Sequence, residues 1–201
     1  MKKILVVGAG FSGAVISREL AKHNYSVDVI DKRSHVAGNA YDFINSFSIR
    51  QHAYGPHIFH TNNLKVVDWL SEFTDWTPYK HKVKAIMEDG RQVTLPVNLE
   101  LKGVLSDNEI LNTFFRPYTK KMWNMAIEDI DASVLNRVAI RNDLNEFYFP
   151  NDLFQAMPTQ GYTKLVENIL DHKNIKLNLE TLFEKNLEKN YDFIFNSMPI
   201  D

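Results

Sequence analysis

Cysteine is absent from the 201 residues. That excludes disulfides, thiolate metal sites and cysteine nucleophiles, and it fits a cytoplasmic setting. No run approaches the roughly 20 apolar residues of a membrane span. Charge of one sign is also lacking: 23 Lys and Arg against 25 Asp and Glu leave a net −2 with no long block of either. Neither nucleic acid nor an anionic membrane surface is therefore expected as a partner. Repeats and low-complexity tracts are missing too. What is present suffices for a core. Hydrophobic residues make up 44% of the chain, and a folded chain of this size buries about 70% of its unfolded surface. The length suits one domain, or one domain carrying a sizeable insertion.

The chemistry is densest near the start. Ile4 to Val7 is a short apolar run that reads as a buried parallel strand. It breaks at Gly8-Ala9-Gly10-Phe11-Ser12-Gly13, after which apolar residues return with helical spacing at Val15, Ile16, Leu20 and Ala21. In such a turn Gly8 permits the tight reversal, Gly10 lets backbone approach a pyrophosphate, and Gly13 lets the helix lie close to the strand. The helix N-terminus adds unpaired N–H groups and roughly half a positive charge. A second apolar run, Val27 to Ile30, ends on Asp31, about 20 residues past the glycines, where a carboxylate accepts from a ribose hydroxyl. Together these elements predict a dinucleotide-binding unit. A glycine-bearing core turn is the bland alternative. A secretory signal is disfavoured by the three glycines, by the helical continuation into Arg18-Glu19 and by the lack of a small-residue cleavage pattern. Lys32 and Arg33 beside the acid would suit a 2′-phosphate, which keeps NADP open, or they are solvated surface.

Phe43 to Ile49 reads as a short hairpin turning near Asn45-Ser46, followed by Tyr54-Gly55-Pro56-His57-Ile58-Phe59-His60-Thr61. His57 and His60 at i, i+3 would bind metal if helical, but the preceding Gly-Pro and the lack of an acidic third ligand argue against it. Simple packing and the lining of a cofactor or substrate pocket stay open. Asn62-Asn63 can cap a helix with apolar Leu64, Val67, Leu70 and Phe73. Lys80 to Met87 and Arg91 to Leu95 flank Glu88-Asp89-Gly90 as a hairpin. Ser106 to Glu109 is a capping box opening a helix through Phe114 and Phe115, and Asp131 is expected to open another through Val134, Leu135 and Val138. The intervening Phe114 to Trp123 is aromatic and basic: core packing is its default, a floor for a stacked base the alternative. Arg141 falls in a polar loop. Gly161 to Leu170 is an amphipathic helix; Ile175 to Leu179 and Tyr191 to Met198 are strands, the last read as buried.

These stretches resemble the UDP-galactopyranose mutase family, flavoenzymes with an FAD-binding fold of the glutathione-reductase type. The resemblance runs along nearly the whole chain, on Val7 to Val15, Asp31 to Arg33, Gly38 to Tyr41, Tyr54 to Thr61, Phe114-Phe115, Tyr118 to Lys120, Trp123, Ile140-Arg141, Met157-Pro158, Gly161 to Lys164 and Pro199 to Asp201. The histidine stretch is the most specific. The likeness is to the family's N-terminal part, with a shortened middle region between Leu95 and Ser106 and without its C-terminal part. Ala37 stands where the family has glycine, and Met122 and Asn124 flank Trp123 where it has glutamine and glycine.

The resemblance implies an α/β fold: a Rossmann-like FAD-binding domain over residues 1–62 and 161–201, with an inserted helical and β-hairpin substrate region over 63–160. It implies Gly8, Gly10, Phe11, Ser12, Gly13, Asp31, Lys32, Gly38, Asn39 and His57 for FAD, which must be reduced for activity. Phe114, Phe115, Tyr118 and Trp123 would hold uridine and sugar, Arg141 the substrate diphosphate, and His57, His60 and Arg141 would stand at the reacting centre; no metal is implied. The implied enzyme is a cytoplasmic isomerase interconverting UDP-galactopyranose and UDP-galactofuranose for cell-surface polysaccharide synthesis. Its implied route is attack of reduced-flavin N5 on the anomeric carbon, departure of UDP, and ring opening and reclosure. The alternative is a truncated, non-catalytic nucleotide-binding remnant of that family. A flavin oxidase or NAD(P)-binding dehydrogenase shares the first 31 residues but has no use for the histidine and Phe-Phe stretches. An exposed final strand would make the chain self-associate, so a homo-oligomer is a further expectation.

Overall fold

Residues 2–131 and 140–198 are described by the computed structural model. The chain divides into two compact units, one running to Tyr79 and resuming at Leu153, the other being Lys80–Asp152. Sequence expectation placed the boundaries at 62/63 and 160/161; residues 63–79 and 153–160 group instead with the first unit.

The first unit opens with β1 (Lys3–Val7), α1 (Phe11–Lys22) and β2 (Ser26–Ile30), then a short hairpin of β3 (Asp42–Ile44) and β4 (Arg50–His52). Next come β5 (Phe59–Thr61), α2 (Leu64–Ser71) and β6 (Trp76–Pro78). The Asn63 side chain accepts the Lys65 N–H and caps α2, as its position before the apolar pattern suggests.

In the second unit β7 (Val83–Ile86) and β8 (Gln92–Leu95) form an antiparallel hairpin. Then come α3 (Leu99–Val104) and α4 (Asp107–Ile110), the latter opened by the Ser106–Glu109 capping box. A π-helical turn (Leu111–Phe115) joins α4 to α5 (Arg116–Trp123), which ends at Asn124 in the left-handed region. Val93, Val97, Leu101 and Ile110 make this unit's core. The helix expected from Asp131 through Val138 lies outside the described residues.

The chain returns to the first unit with β9 (Phe154–Pro158), α6 (Gly161–Leu170), β10 (Ile175–Asn178) and β11 (Phe193–Asn196). Strand β9 runs antiparallel between β5 and β6. The main sheet is wholly parallel in the order β10-β2-β1-β11. Its central strands are buried on both faces, which is why β1 is an unbroken apolar run and not an alternating one. Ile4, Val6, Val27 and Val29 pack in the core cluster that holds Ala14 and Ala21 of α1 and Tyr162, Leu165, Val166 and Ile169 of α6. Leu5, Val7 and Ile30 meet Phe183, Leu187, Tyr191 and Ile194 in a separate cluster. Each fully buried aliphatic contributes about 2 kcal/mol.

The last strand is not buried. β11 is a sheet edge, with Phe193 58% and Phe195 39% exposed. An apolar run announces a strand but not its place in the order; of β11 itself, Ile194 packs against a core cluster while Phe193 and Phe195 stay outside it.

Candidate functional site

The glycine turn leaves β1 at Gly8, whose φ of +107° suits glycine. A methyl on Gly13 would collide with the Gly8 carbonyl and stand 3.2 Å from Val6 Cγ1, so that glycine lets α1 lie against β1. The Ala9 N–H donates to Asp31 Oδ2 at 2.8 Å, and the Arg33 N–H donates to Asp31 Oδ1 at 2.9 Å. On its other side the Ala9 carbonyl accepts from the Ala37 N–H at 2.9 Å. Ala37 is buried and sits at φ +70°, followed by Gly38 at φ +56°.

Two backbones converge here. A methyl on Gly38 would stand 3.3 Å from Gly10 Cα, and one on Gly10 would stand 3.7 Å from Gly38 Cα. At the N-terminus of α1 no side chain caps the helix and no acid lies in its first turn. Its first N–H groups lack helical acceptors. Ser12 and Asn39 are exposed beside this end. Arg33 donates from Nη2 to Asn39 Oδ1 at 2.9 Å, and its guanidinium lies 4.8 Å from the Tyr54 ring centre. That fork is turned to Asn39 and Tyr54, whereas the Lys32 side of the loop is exposed.

A second cluster gathers around Tyr162. Asp42, whose side chain is fully buried, accepts from the N–H groups of Tyr162 and Thr163 at 2.9 Å each, at the first turn of α6. Thr163 Oγ1 donates to the Asp42 carbonyl at 2.7 Å and accepts the Asp42 N–H at 2.9 Å. Arg50 approaches the same carboxylate at 3.5 Å. Gly161, at φ +88°, leaves no room for a methyl, which would strike Arg50 and Asp42.

The clasp fixes Tyr162 at the start of α6. Its ring meets Phe11, His52 and His57 edge-on, at 6.0, 5.8 and 6.3 Å. Burial pushes the Tyr162 hydroxyl well above the ordinary phenol range, so it stays protonated. An apolar cavity of about 670 Å³ opens beside it, lined by Phe11, His57, Phe59, Trp69, Trp76 and Tyr162 among others.

The two expected histidines part company. His57 lines the cavity, while His60 stands exposed on β5, where alternation turns it opposite to Phe59. No group of three metal-ligating side chains occurs among the described residues. The sequence reading had no local signal for Asp42 or His52: each acts on residues that only the fold or a tight turn brings close.

In the second unit Phe114 and Phe115 occupy the π turn and pack partly on the core. Tyr118 and Trp123 of α5 are 57% and 52% exposed. Arg141 is enclosed by its own loop. Its Nη1 donates to the carbonyls of Asn145 at 3.4 Å and Phe147 at 2.5 Å, and its Nη2 to that of Tyr148 at 2.7 Å. A guanidinium so engaged organises the loop, and it reaches a diphosphate only by leaving those carbonyls.

Parallel sheet, glycine turn and terminal acid define a dinucleotide-binding protein of the Rossmann type. Residues 6–73 match the family model described as NAD(P)-binding Rossmann-like domain, and residues 113–201 that of UDP-galactopyranose mutase. All of the chain aligns with the "Probable UDP-galactopyranose mutase" of Klebsiella pneumoniae at 35% identity and with the dTDP-fucopyranose mutase of Escherichia coli at 36%. By these matches the chain resembles the UDP-galactopyranose mutase family. It spans 61% and 64% of those two relatives' lengths. The crystal structure of reduced UDP-galactopyranose mutase matches 99% of this chain and 56% of its own, with a TM-score of 0.73 at 16% identity, a likeness of fold.

Proposed function

We propose that the chain is the cofactor-binding and uridine-binding portion of a flavin-dependent mutase acting on UDP-galactopyranose and UDP-galactofuranose, an isomerase serving polysaccharide synthesis in the cytoplasm. The observation that carries this reading is the Gly10–Gly38 approach above a helix N-terminus, closed by Asp31. There the two glycine backbones lie close together, with a methyl on Gly38 only 3.3 Å from Gly10 Cα, beside a helix end whose N–H groups suit a phosphate. This arrangement fits the ADP part of FAD: Asp31 keeps lone pairs for a ribose hydroxyl, and the first N–H groups of α1, at Phe11, Ser12 and Gly13, would hold the pyrophosphate. Lys32, Gly38 and Asn39 would flank the cofactor, with Arg33 fixing Asn39 from behind. With its carboxylate at the ribose position and its arginine fork turned aside, the site favours a dinucleotide without a 2′-phosphate over NADP.

When bound in reduced form, FAD supplies the nucleophile for the anomeric carbon. The chain's own residues hold and shield. His57 lines the apolar cavity and would present a ring nitrogen there; His60 would act only if substrate reaches the outer face of β5. Phe114, Phe115, Tyr118 and Trp123 would supply aromatic faces for uracil and sugar. Arg141 would pair with the diphosphate once released from its loop carbonyls. A dTDP sugar is the second reading, because the E. coli relative named for dTDP-fucopyranose is as similar as the UDP-galactopyranose one.

The test is the visible spectrum of the purified chain after incubation with FAD and desalting, followed by turnover of UDP-galactofuranose and a dTDP-furanose under dithionite. A retained flavin band with UDP-sugar turnover is expected. Loss of the band on desalting would sink catalysis by this chain and leave the nucleotide-binding remnant.

A further inference from the structure

We propose that His52 is a positioning residue that fixes the proton of His57 on Nδ1 and leaves Nε2 of His57 as a bare acceptor. The functional meaning of this rests on the cofactor reading above; the geometry does not. The His57 main-chain N–H donates to Nδ1 of His52 at 3.1 Å. An amide N–H can only donate here, so Nδ1 of His52 carries no proton and the neutral ring holds it on Nε2. Nδ1 of His57 lies 2.9 Å from the Gly55 carbonyl. A carbonyl can only accept, so this nitrogen carries the proton and Nε2 keeps its lone pair.

The two histidines thus have opposite tautomers, imposed by one five-residue turn. Gly55 at φ +121° supplies the backbone conformation that the turn needs. The rings lie nearly parallel, 6.2 Å apart at 11°, and both stand edge-on to Tyr162. A free imidazole in water prefers its proton on Nε2, so His57 is held in the less favoured form. His57 lines a cavity whose surface is almost wholly apolar, where a bare Nε2 would be a rare hydrogen-bond acceptor. It suits a bound group that presents an N–H or O–H, such as a heterocyclic imide or a sugar hydroxyl.

The test uses the full chain labelled with ¹⁵N-histidine, and long-range proton–nitrogen spectra that report which ring nitrogen is protonated. The native chain should show His57 protonated on Nδ1 and His52 on Nε2. His52→Leu removes the acceptor and should lose the Nδ1-protonated His57 signal. His52→Asn sets an amide oxygen where Nδ1 stood and should restore it. If His52→Leu fails to fold, His52→Ser, with no acceptor at that reach, takes its place. An Nε2-protonated His57 in the native chain, or an unchanged His57 in a folded His52→Leu or His52→Ser chain, overturns the proposal. An FAD titration on the same samples separates the two readings. Native tautomers that are lost in folded His52→Leu, without FAD binding, uphold the role of His52 and remove the cofactor reading, whereas FAD binding with unchanged His57 in folded His52→Leu does the reverse.

Discussion

Ala9 and Asp31 are joined by a 2.8 Å hydrogen bond, from the backbone at the crown of the glycine turn to the carboxylate at the end of β2. The acid expected to read a ribose is therefore also a strut of the glycine turn. With the Arg33 N–H on its second oxygen, the carboxylate is oriented before any ligand arrives. A site so ordered in advance spends less of its binding energy on freezing side chains.

Ala37→Gly is expected to leave stability within about 0.8 kcal/mol of the native chain, although Ala37 is a non-glycine at φ +70°. Relief of the left-handed conformation favours glycine by about 1–2 kcal/mol. The greater freedom of unfolded glycine takes back about 0.4–1 kcal/mol, and the lost buried methyl about 0.8 kcal/mol. Ala37→Val, branched at a buried site of the same φ, should lose more than about 2 kcal/mol. Urea midpoints at an unchanged slope give both values.

Asp42→Ala should destabilise the first unit by about 2–4 kcal/mol, since two N–H groups of α6 and the Arg50 charge lose their common acceptor. Thr163→Val, which removes only the hydroxyl half of the clasp, should cost about 1–2 kcal/mol. A urea-melt loss below about 0.5 kcal/mol for Asp42→Ala would show that the clasp adds little.

Arg141→Lys distinguishes a loop organiser from a diphosphate contact. One ammonium cannot serve three carbonyls along two edges of a fork, so the Lys80–Asp152 unit should lose about 1–2 kcal/mol in a melt without substrate. An unchanged melt with a raised KM for UDP-sugar would assign the arginine to substrate instead.

Glu19 supplies a pH signature. Burial raises its carboxyl, but the Trp69 indole N–H at 2.8 Å and Lys22 outweigh that and hold it below the ordinary glutamate value. A carboxyl depressed in the folded state stabilises the fold above its unfolded pKa, and this is lost as pH falls through the lower folded value. Acid titration monitored by Trp fluorescence should show that step, and Glu19→Gln should abolish it.

The first 31 residues were legible because their interactions are local: turn, helix and acid lie within one βαβ unit. The same holds for the Asn63 cap, the Ser106 capping box and the β7–β8 hairpin, where Gly90 at φ +83° does what its sequence position suggests. Contacts made by the fold were not legible. Asp42 and Thr163 are 121 residues apart, and nothing near either announces the other. Phe193 to Phe195 looked like a buried strand because burial depends on strand order, which an apolar run does not encode. Arg141 read only as part of a polar loop because the carbonyls that enclose it are main-chain atoms, invisible in side-chain patterning. His60 read with His57 by spacing, but extended backbone alternates its faces and turned the two apart.

Strand β1 has β2 on one side and β11 on the other, and the Lys3 N–H meets the Asp192 carboxylate across a separation of 189 residues. At about 5–20 residues per second of synthesis, the first strand leaves the ribosome on the order of 10–40 s before its second neighbour exists. Through that interval Ile4 to Val7 carries an unpaired apolar edge. The sheet beneath the glycine turn is thus completed only after residue 196 has been made, and the yield of folded protein depends on whatever shields those few residues until then.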